Sequence, residues 1–290
     1  MLRVGGLVFL ALAWGTQYLV IKAGLATLPP LLTVALRYAV LLAAAQAALV
    51  VTRSPPATAA AWKRGAFGLS QAASVGLLYW AQARLPSSLV GILIATTPFL
   101  VAVLAHFLLP GERLRRAAVI ATLLGFAGAA LIAARAGPAG ADGMDAAAVA
   151  AVLLAALTDA VTKVLAKDLT ASTPVPVMLR DMALCVCAGA GAGWWLLERD
   201  APVVFTPAAV GAFVYLGLVA SAGASAVYLL LLRRYSVSGL AYLQFVTAAV
   251  AVLTGVAVGG ETLGVTTTIG VLLVLAGLAA RSAGQAAAPR

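Results

Sequence analysis

The chain has 290 residues, 63% of them hydrophobic and 10% charged, with a mean hydropathy of +1.07. That composition excludes a water-soluble globular domain, and no polar block is long enough to form one. The formal net charge of +10 calls for no nucleic acid partner, because the basic residues sit between apolar segments, where they act as a topology signal and add weak attraction to anionic lipids.

A bilayer crossing takes ~17–25 mostly apolar residues. Ten segments qualify in chain order: Gly5–Leu25, Leu31–Val51, Gly65–Ala83, Ser88–Leu109, Ala117–Ala134, Ala146–Ala166, Val177–Leu197, Ala208–Leu231, Gly239–Val258 and Gly264–Ala280. Breaker residues separate them, among them Pro29-Pro30, Pro55-Pro56, Pro86, Pro110-Gly111, Gly137-Pro138, Pro174 and Gly259-Gly260. The opening Met1-Leu2-Arg3 with Ala11-Leu12-Ala13 imitates a signal peptide, yet the apolar run continues through Ile21, so an uncleaved first helix is expected. Cys185 and Cys187 lie two residues apart in one apolar run and face different sides of a helix, which disfavours a disulfide between them. His106 is the chain's only histidine and lies far from both cysteines, so no metal site is expected.

Two of the apolar runs end in a shared signature. Gly111-Glu112-Arg113-Leu114 follows the fourth, and Gly260-Glu261-Thr262-Leu263 follows the ninth. Lys22 closes the first span as Lys163 closes the sixth, and Arg37 enters the second as Arg180 enters the seventh. The Gly-rich, acidic stretch 137–145 falls near the middle. It divides the chain into a first five-helix repeat, 1–136, and a second, 146–290. Five spans per half is an odd number, so the second half inserts upside down. The expected fold is an all-α integral membrane protein of ten transmembrane helices in two inverted five-helix repeats, an arrangement suited to alternating access. With the amino terminus inside, Arg3, Arg53, Lys63, Arg64, Arg113, Arg115, Arg116, Lys167, Arg233, Arg234, Arg281 and Arg290 all fall on the cytoplasmic side. The outer side then holds chiefly Arg84, Arg135 and Arg199, and both termini are cytoplasmic.

The chain also resembles the drug/metabolite transporter superfamily in its ten-helix EamA-type branch, over nearly its whole length. The resemblance is carried by Trp14-Gly15 with Lys22, Pro29-Pro30 with Arg37-Tyr38, Pro86-Ser87-Ser88, Thr97-Pro98-Phe99 and the two Gly-Glu signatures. It implies a central cavity ringed by the first to fourth and sixth to ninth helices. The fifth and tenth would lie at the periphery, where they could support a homodimer. Relatives move amino acids, nucleotide sugars, sugar phosphates, purines and drugs, so the resemblance leaves the substrate open.

Ionisable groups inside a span are expensive and mark functional candidates by default. Asp159 has Lys163 one turn later, so the two either neutralise each other or serve proton coupling. Arg37 lies about two turns inside the second span, either snorkelling outward or meeting an anionic substrate group. Arg180-Asp181 reads as a local charge pair near the inner mouth, and His106 as an interfacial residue. The substrate-cavity candidates are Trp14, Gln17, Arg37, Gln71, Tyr79, Tyr228, Tyr242 and Gln244, which supply directional polar groups among apolar walls. Tyr79 and Trp80 also suit the interfacial aromatic belt. Glu112 and Glu261 are expected to cap helix starts and act as hinges, and Pro98 to loosen the fourth span.

The expected activity is secondary transport of small polar metabolites, as an amino-acid or related metabolite exporter in a bacterial cytoplasmic membrane. No cofactor is expected, and the partners are a small-molecule substrate and membrane lipids. A proton-coupled drug efflux carrier is the alternative, although the first span carries no acid. An intramembrane enzyme is a weaker one. Asp142 and Asp145 lie in a short linker without a second acidic motif, and Ser221 and Ser225 have only His106 as a histidine base.

Overall fold

The computed structural model describes residues 2–112 and 145–260. Among these residues the chain is helical throughout, with no strand. In chain order the helices are α1 (Leu2–Leu25), α2 (Pro30–Thr52), α3 (Ala61–Gln82), α4 (Ser87–Ile94), α5 (Thr97–Leu108), α6 (Ala146–Leu169), α7 (Val175–Leu197), α8 (Pro207–Tyr215), a π-helical segment (Leu216–Gly223), α9 (Ala224–Leu232), α10 (Val237–Ala241) and α11 (Leu243–Ala257). Among the described residues seven stretches are long and apolar enough to cross a membrane, counting Ser87–Leu108, Pro207–Leu232 and Val237–Ala257 as single spans. The chain is an integral membrane protein. α3 is long enough as well, at 22 residues. Its Lys63, Arg64, Ser70, Gln71 and Gln82 lower its hydropathy, and it packs inside the bundle against α6 and α7. The predicted spans Ala117–Ala134 and Gly264–Ala280, with Glu261 and most of the 137–145 linker, lie outside the described residues.

The boundaries follow from local chemistry. Pro30, Pro98, Pro176 and Pro207 occupy first-turn positions, where a missing N–H costs no helical hydrogen bond. Asp145, Thr206 and Ser236 cap their helices by accepting from backbone N–H groups of the first turn. Gly111 (φ 83°) and Gly260 (φ 64°), the glycines of the two matched signatures, both adopt left-handed backbone. Only glycine does so without steric cost, which explains the residue type there.

Among the described residues two spans are interrupted. Ala95 and Thr96 separate α4 from α5 just before Pro98, and Tyr242 separates α10 from α11. α4 packs on α11 and α11 on α1, while α2 packs on α7. Glycines permit the tightest crossings. A Cβ on Gly15 would sit 2.4 Å from Val250 Cβ, and one on Gly217 would sit 2.5 Å from Val40 Cβ.

Interactions between loops mark the two ends of the bundle. At the lower end, Thr58 donates its N–H to Ser172 O at 2.9 Å and Lys63 pairs with Asp168 at 2.7 Å. At the upper end, Leu31 N–H donates to Glu198 Oε2 at 2.8 Å and Val204 N–H to Thr27 O at 3.0 Å. The described chain leaves off at Glu112 on the lower end and resumes at Asp145 on the upper end, where Asp145 meets Arg84 at 3.7 Å. α1 and α6 therefore begin at opposite ends.

Glu112 does cap a helix start, but one 125 residues further along the chain. Its carboxylate accepts from the Val237 N–H at 2.9 Å and from the Ser238 hydroxyl at 2.9 Å, at the beginning of α10. The negative charge also sits at the positive end of that helix. Glu112→Ala is expected to destabilise the protein by about 1–2 kcal/mol, and Glu112→Gln by less, in thermal unfolding of detergent-solubilised protein. Equal melting of wild type and the alanine variant would show that the cap is energetically idle.

Candidate functional site

α1, α2, α3, α4, α6, α7, α9, α11 and the π segment surround a cavity of about 120 Å³ in the middle of the bundle. The polar side chains that reach it come from both halves: Gln17, Arg37, Gln71 and Ser74 from one, Asp159, Thr162, Lys163, Ser225 and Gln244 from the other. Its apolar wall includes Trp14, Phe67, Met182 and Tyr228. Trp14 and Tyr228 rings pack at 5.4 Å, and Trp14 Nε1–H donates to Ala220 O at 3.0 Å.

Arg37 is the site's most constrained ion. It is 4% exposed. Its Nε–H donates to Ser221 Oγ at 2.8 Å, one terminal nitrogen donates to Tyr79 Oη at 3.1 Å, and the other donates to Gln17 Oε1 at 3.1 Å. The guanidinium also lies 5.6 Å from the Tyr38 ring centroid and 6.0 Å from that of Tyr79. Ser221 reaches Arg37 because the π-helical segment Leu216–Gly223 carries it. Such wide turns occur frequently at functional sites. Gly217 in the same segment lets α2 approach closely, since a Cβ there would come 2.8 Å from Arg37 O.

Asp159 and Lys163 face the same cavity from α6 and form a salt bridge across one helical turn. Lys163 is buried. The rest of the wall is held by neutral hydrogen bonds. Gln71 Nε2–H donates to Tyr38 Oη at 3.1 Å, Gln244 Nε2–H to Tyr18 Oη at 3.3 Å, and Ser74 Oγ–H to Ala155 O at 3.0 Å.

Of the residues singled out from sequence, Trp14, Gln17, Arg37, Gln71, Tyr228, Gln244, Asp159 and Lys163 all line this cavity. Tyr79 does not. It is fully buried behind Arg37 and fixes that side chain rather than facing the space. Tyr242 occupies the break between α10 and α11, stacked on Phe245 at 5.7 Å, and is also absent from the lining. Pro98 begins α5 beside the other break. His106 is exposed and edge-on to Phe107 at 5.0 Å, away from the cavity. Arg180 and Asp181 pair at 2.7 Å and Arg64 joins Asp181 at 3.2 Å, making a lower-end cluster. Cys185 and Cys187 are both free thiols.

Sequence reasoning missed Tyr18, Tyr38, Thr162 and Ser221. The tyrosines were legible as polar groups in apolar runs. Ser221 had no usable signal as an arginine partner, because the contact spans 184 residues and depends on the π turn. A larger depression of about 770 Å³ lies at the lower end, lined by Pro55, Lys167, Thr173 and Arg233 among others. Both of its cations are already engaged with backbone carbonyls, Lys167 with Leu232 and Tyr235, and Arg233 with Thr173.

Comparison with known proteins gives one family. The model of the EamA-like transporter family matches residues 3–134. No curated protein matches the chain. One solved crystal structure superposes with a TM-score of 0.71 at 23% identity, covering 96% of this chain and 95% of its own. At that identity the likeness concerns the fold.

Proposed function

We propose, from residues 3–134 belonging to the EamA-like transporter family, that this membrane transporter is a secondary carrier of small polar metabolites. It works as an exporter of amino acids or related metabolites by alternating access. The observation that carries this reading is the central cavity, whose polar lining comes from both halves. Contacts between the halves at both ends of the bundle support it, since Lys63–Asp168 and Thr58–Ser172 lie below the cavity and Leu31–Glu198 and Thr27–Val204 above. Rocking of one half against the other would exchange these sets and expose the same cavity to each side in turn. A volume of about 120 Å³ falls below the ~300–1,000 Å³ of pockets for drug-sized ligands, which favours a metabolite over a bulky drug.

The duplication, with repeats at 1–136 and 146–290, belongs to the same proposal. Exchange of the halves converts the α1–α11 contact into that of α6 with α4 and α5, and the α3–α7 contact into that of α2 with α8 and the π segment. Gly68 against Cys185 and Asp181 O is repeated by Gly217 against Val40 and Arg37 O. The opposite starting ends of α1 and α6 fit an inverted second repeat.

The deciding experiment is uptake and counterflow of a substrate panel in proteoliposomes, with and without a pH gradient. Saturable counterflow supports the carrier, and non-saturating flux would point to a pore. Orientation is tested by single cysteines in a background lacking Cys185 and Cys187. Ser54→Cys at the lower end is expected to react only from the cytoplasm and Asp200→Cys at the upper end only from outside. The reverse pattern would overturn the assignment from basic loops.

A further inference from the structure

The cavity carries unequal charge. Among the described lining residues Arg37, Lys163 and Asp159 are its ionisable groups besides tyrosines, leaving one unit of positive charge. Lys163 is neutralised by Asp159. Arg37 has only neutral partners, Ser221, Tyr79 and Gln17, and no carboxylate among the described residues lies in ion-pair range. The corresponding arginine of the second half, Arg180, does have one, in Asp181. A guanidinium carries five donors. Three are used, which leaves one N–H on each terminal nitrogen to donate to a carboxylate.

We infer that the carrier's substrate is a small organic acid with one net negative charge, its carboxylate docking on Arg37 and its uncharged body lying against Trp14, Tyr38 and Tyr228. The inference rests on the carrier reading and, between its two arms, takes related metabolites that are anions in place of amino acids. A buried cation without a counter-ion is costly, and a bound anion removes that cost. A cationic ligand would add to the excess charge. A zwitterion would bring an ammonium group whose one carboxylate partner in the lining, Asp159, is already held by Lys163. The tyrosine rings around Arg37 stabilise the cation without neutralising it, so they keep the site ready for an anion while excluding a permanent internal partner.

Three probes of one carbon skeleton separate these cases: 3-methyl-2-oxobutanoate (anion), valine (zwitterion) and isobutylamine (cation). Saturable counterflow is measured for each in proteoliposomes at pH 7. The oxo acid is expected to exchange at least tenfold faster than the other two. Arg37→Gln should abolish that preference, and Arg37→Lys, which keeps the charge but not the fork, should retain part of it. Faster exchange of valine or the amine by wild type overturns the charge assignment and leaves the carrier intact, as does a folded Arg37→Gln protein with unchanged oxo acid preference. No saturable exchange of any of the three by monodisperse wild type counts against the carrier reading and this inference together. Should Arg37→Gln fail to fold, the wild-type order of the three probes still decides.

Discussion

Gly15→Val is expected to yield almost no monodisperse protein from detergent extracts, whereas Gly5→Val on the same helix should behave like wild type. A Cβ at position 15 would lie 2.4 Å from Val250 Cβ and 3.1 Å from Thr247 O, so α1 and α11 would have to part. At position 5 nothing lies within 4 Å. Overpacking a close contact costs about 1–3 kcal/mol even when the surroundings yield, and here part of the obstacle is backbone. The damage would spread to the cavity, because Trp14 next door bonds to Ala220 and packs on Tyr228. Close approach through small residues is how helices gain packing energy in lipid, where hydrophobic burial between them is weak. The readouts are gel-filtration profile and melting temperature. Equal behaviour of the two variants would show that the α1–α11 crossing is not set by Gly15.

The helices were largely legible because breakers bound them. Leu31–Val51 is Pro30–Thr52 in the structure, and Val177–Leu197 is Val175–Leu197. Interruptions inside spans were less so. Pro98 signals the α4–α5 break, since the ring of a proline removes a hydrogen bond from the turn before it. Nothing comparable marks Tyr242 or the π segment, whose widened turn is a tertiary outcome. The polar lining was half legible for a related reason. Tyr79 and Gln71 both lie on α3, whose polar residues bond neighbouring helices as well as reach the cavity, so the two look alike in sequence, although one props Arg37 from behind and the other reaches the cavity. The Asp159–Lys163 pair was plain from its spacing. The Glu112 cap on α10 was not, because its partners lie 125 and 126 residues away.

Asp159→Asn is expected to cost the protein its stability before it reveals anything about coupling. Lys163 is buried in the bundle and Asp159 is its ion-pair partner. Removing one member of such a pair leaves an uncompensated charge and costs about 3–5 kcal/mol, a large share of the ~5–15 kcal/mol that holds a typical domain together. Replacing both members leaves no orphan. Asp159→Asn combined with Lys163→Gln should therefore recover folding, measured as melting temperature, together with most substrate counterflow. The coupling of the two effects is read directly from the double-mutant cycle. A proton-coupling acid predicts a different pattern. Such an acid must exchange its proton during the cycle, so its removal would spare folding and substrate counterflow while abolishing net transport driven by an imposed pH gradient. The double variant would then stay uncoupled. The charge pair favours the first outcome, because Lys163 is buried and Asp159 is the carboxylate that pairs with it. Intact stability of the single variant with loss of gradient-driven transport in both would overturn that reading and make Asp159 the coupling residue.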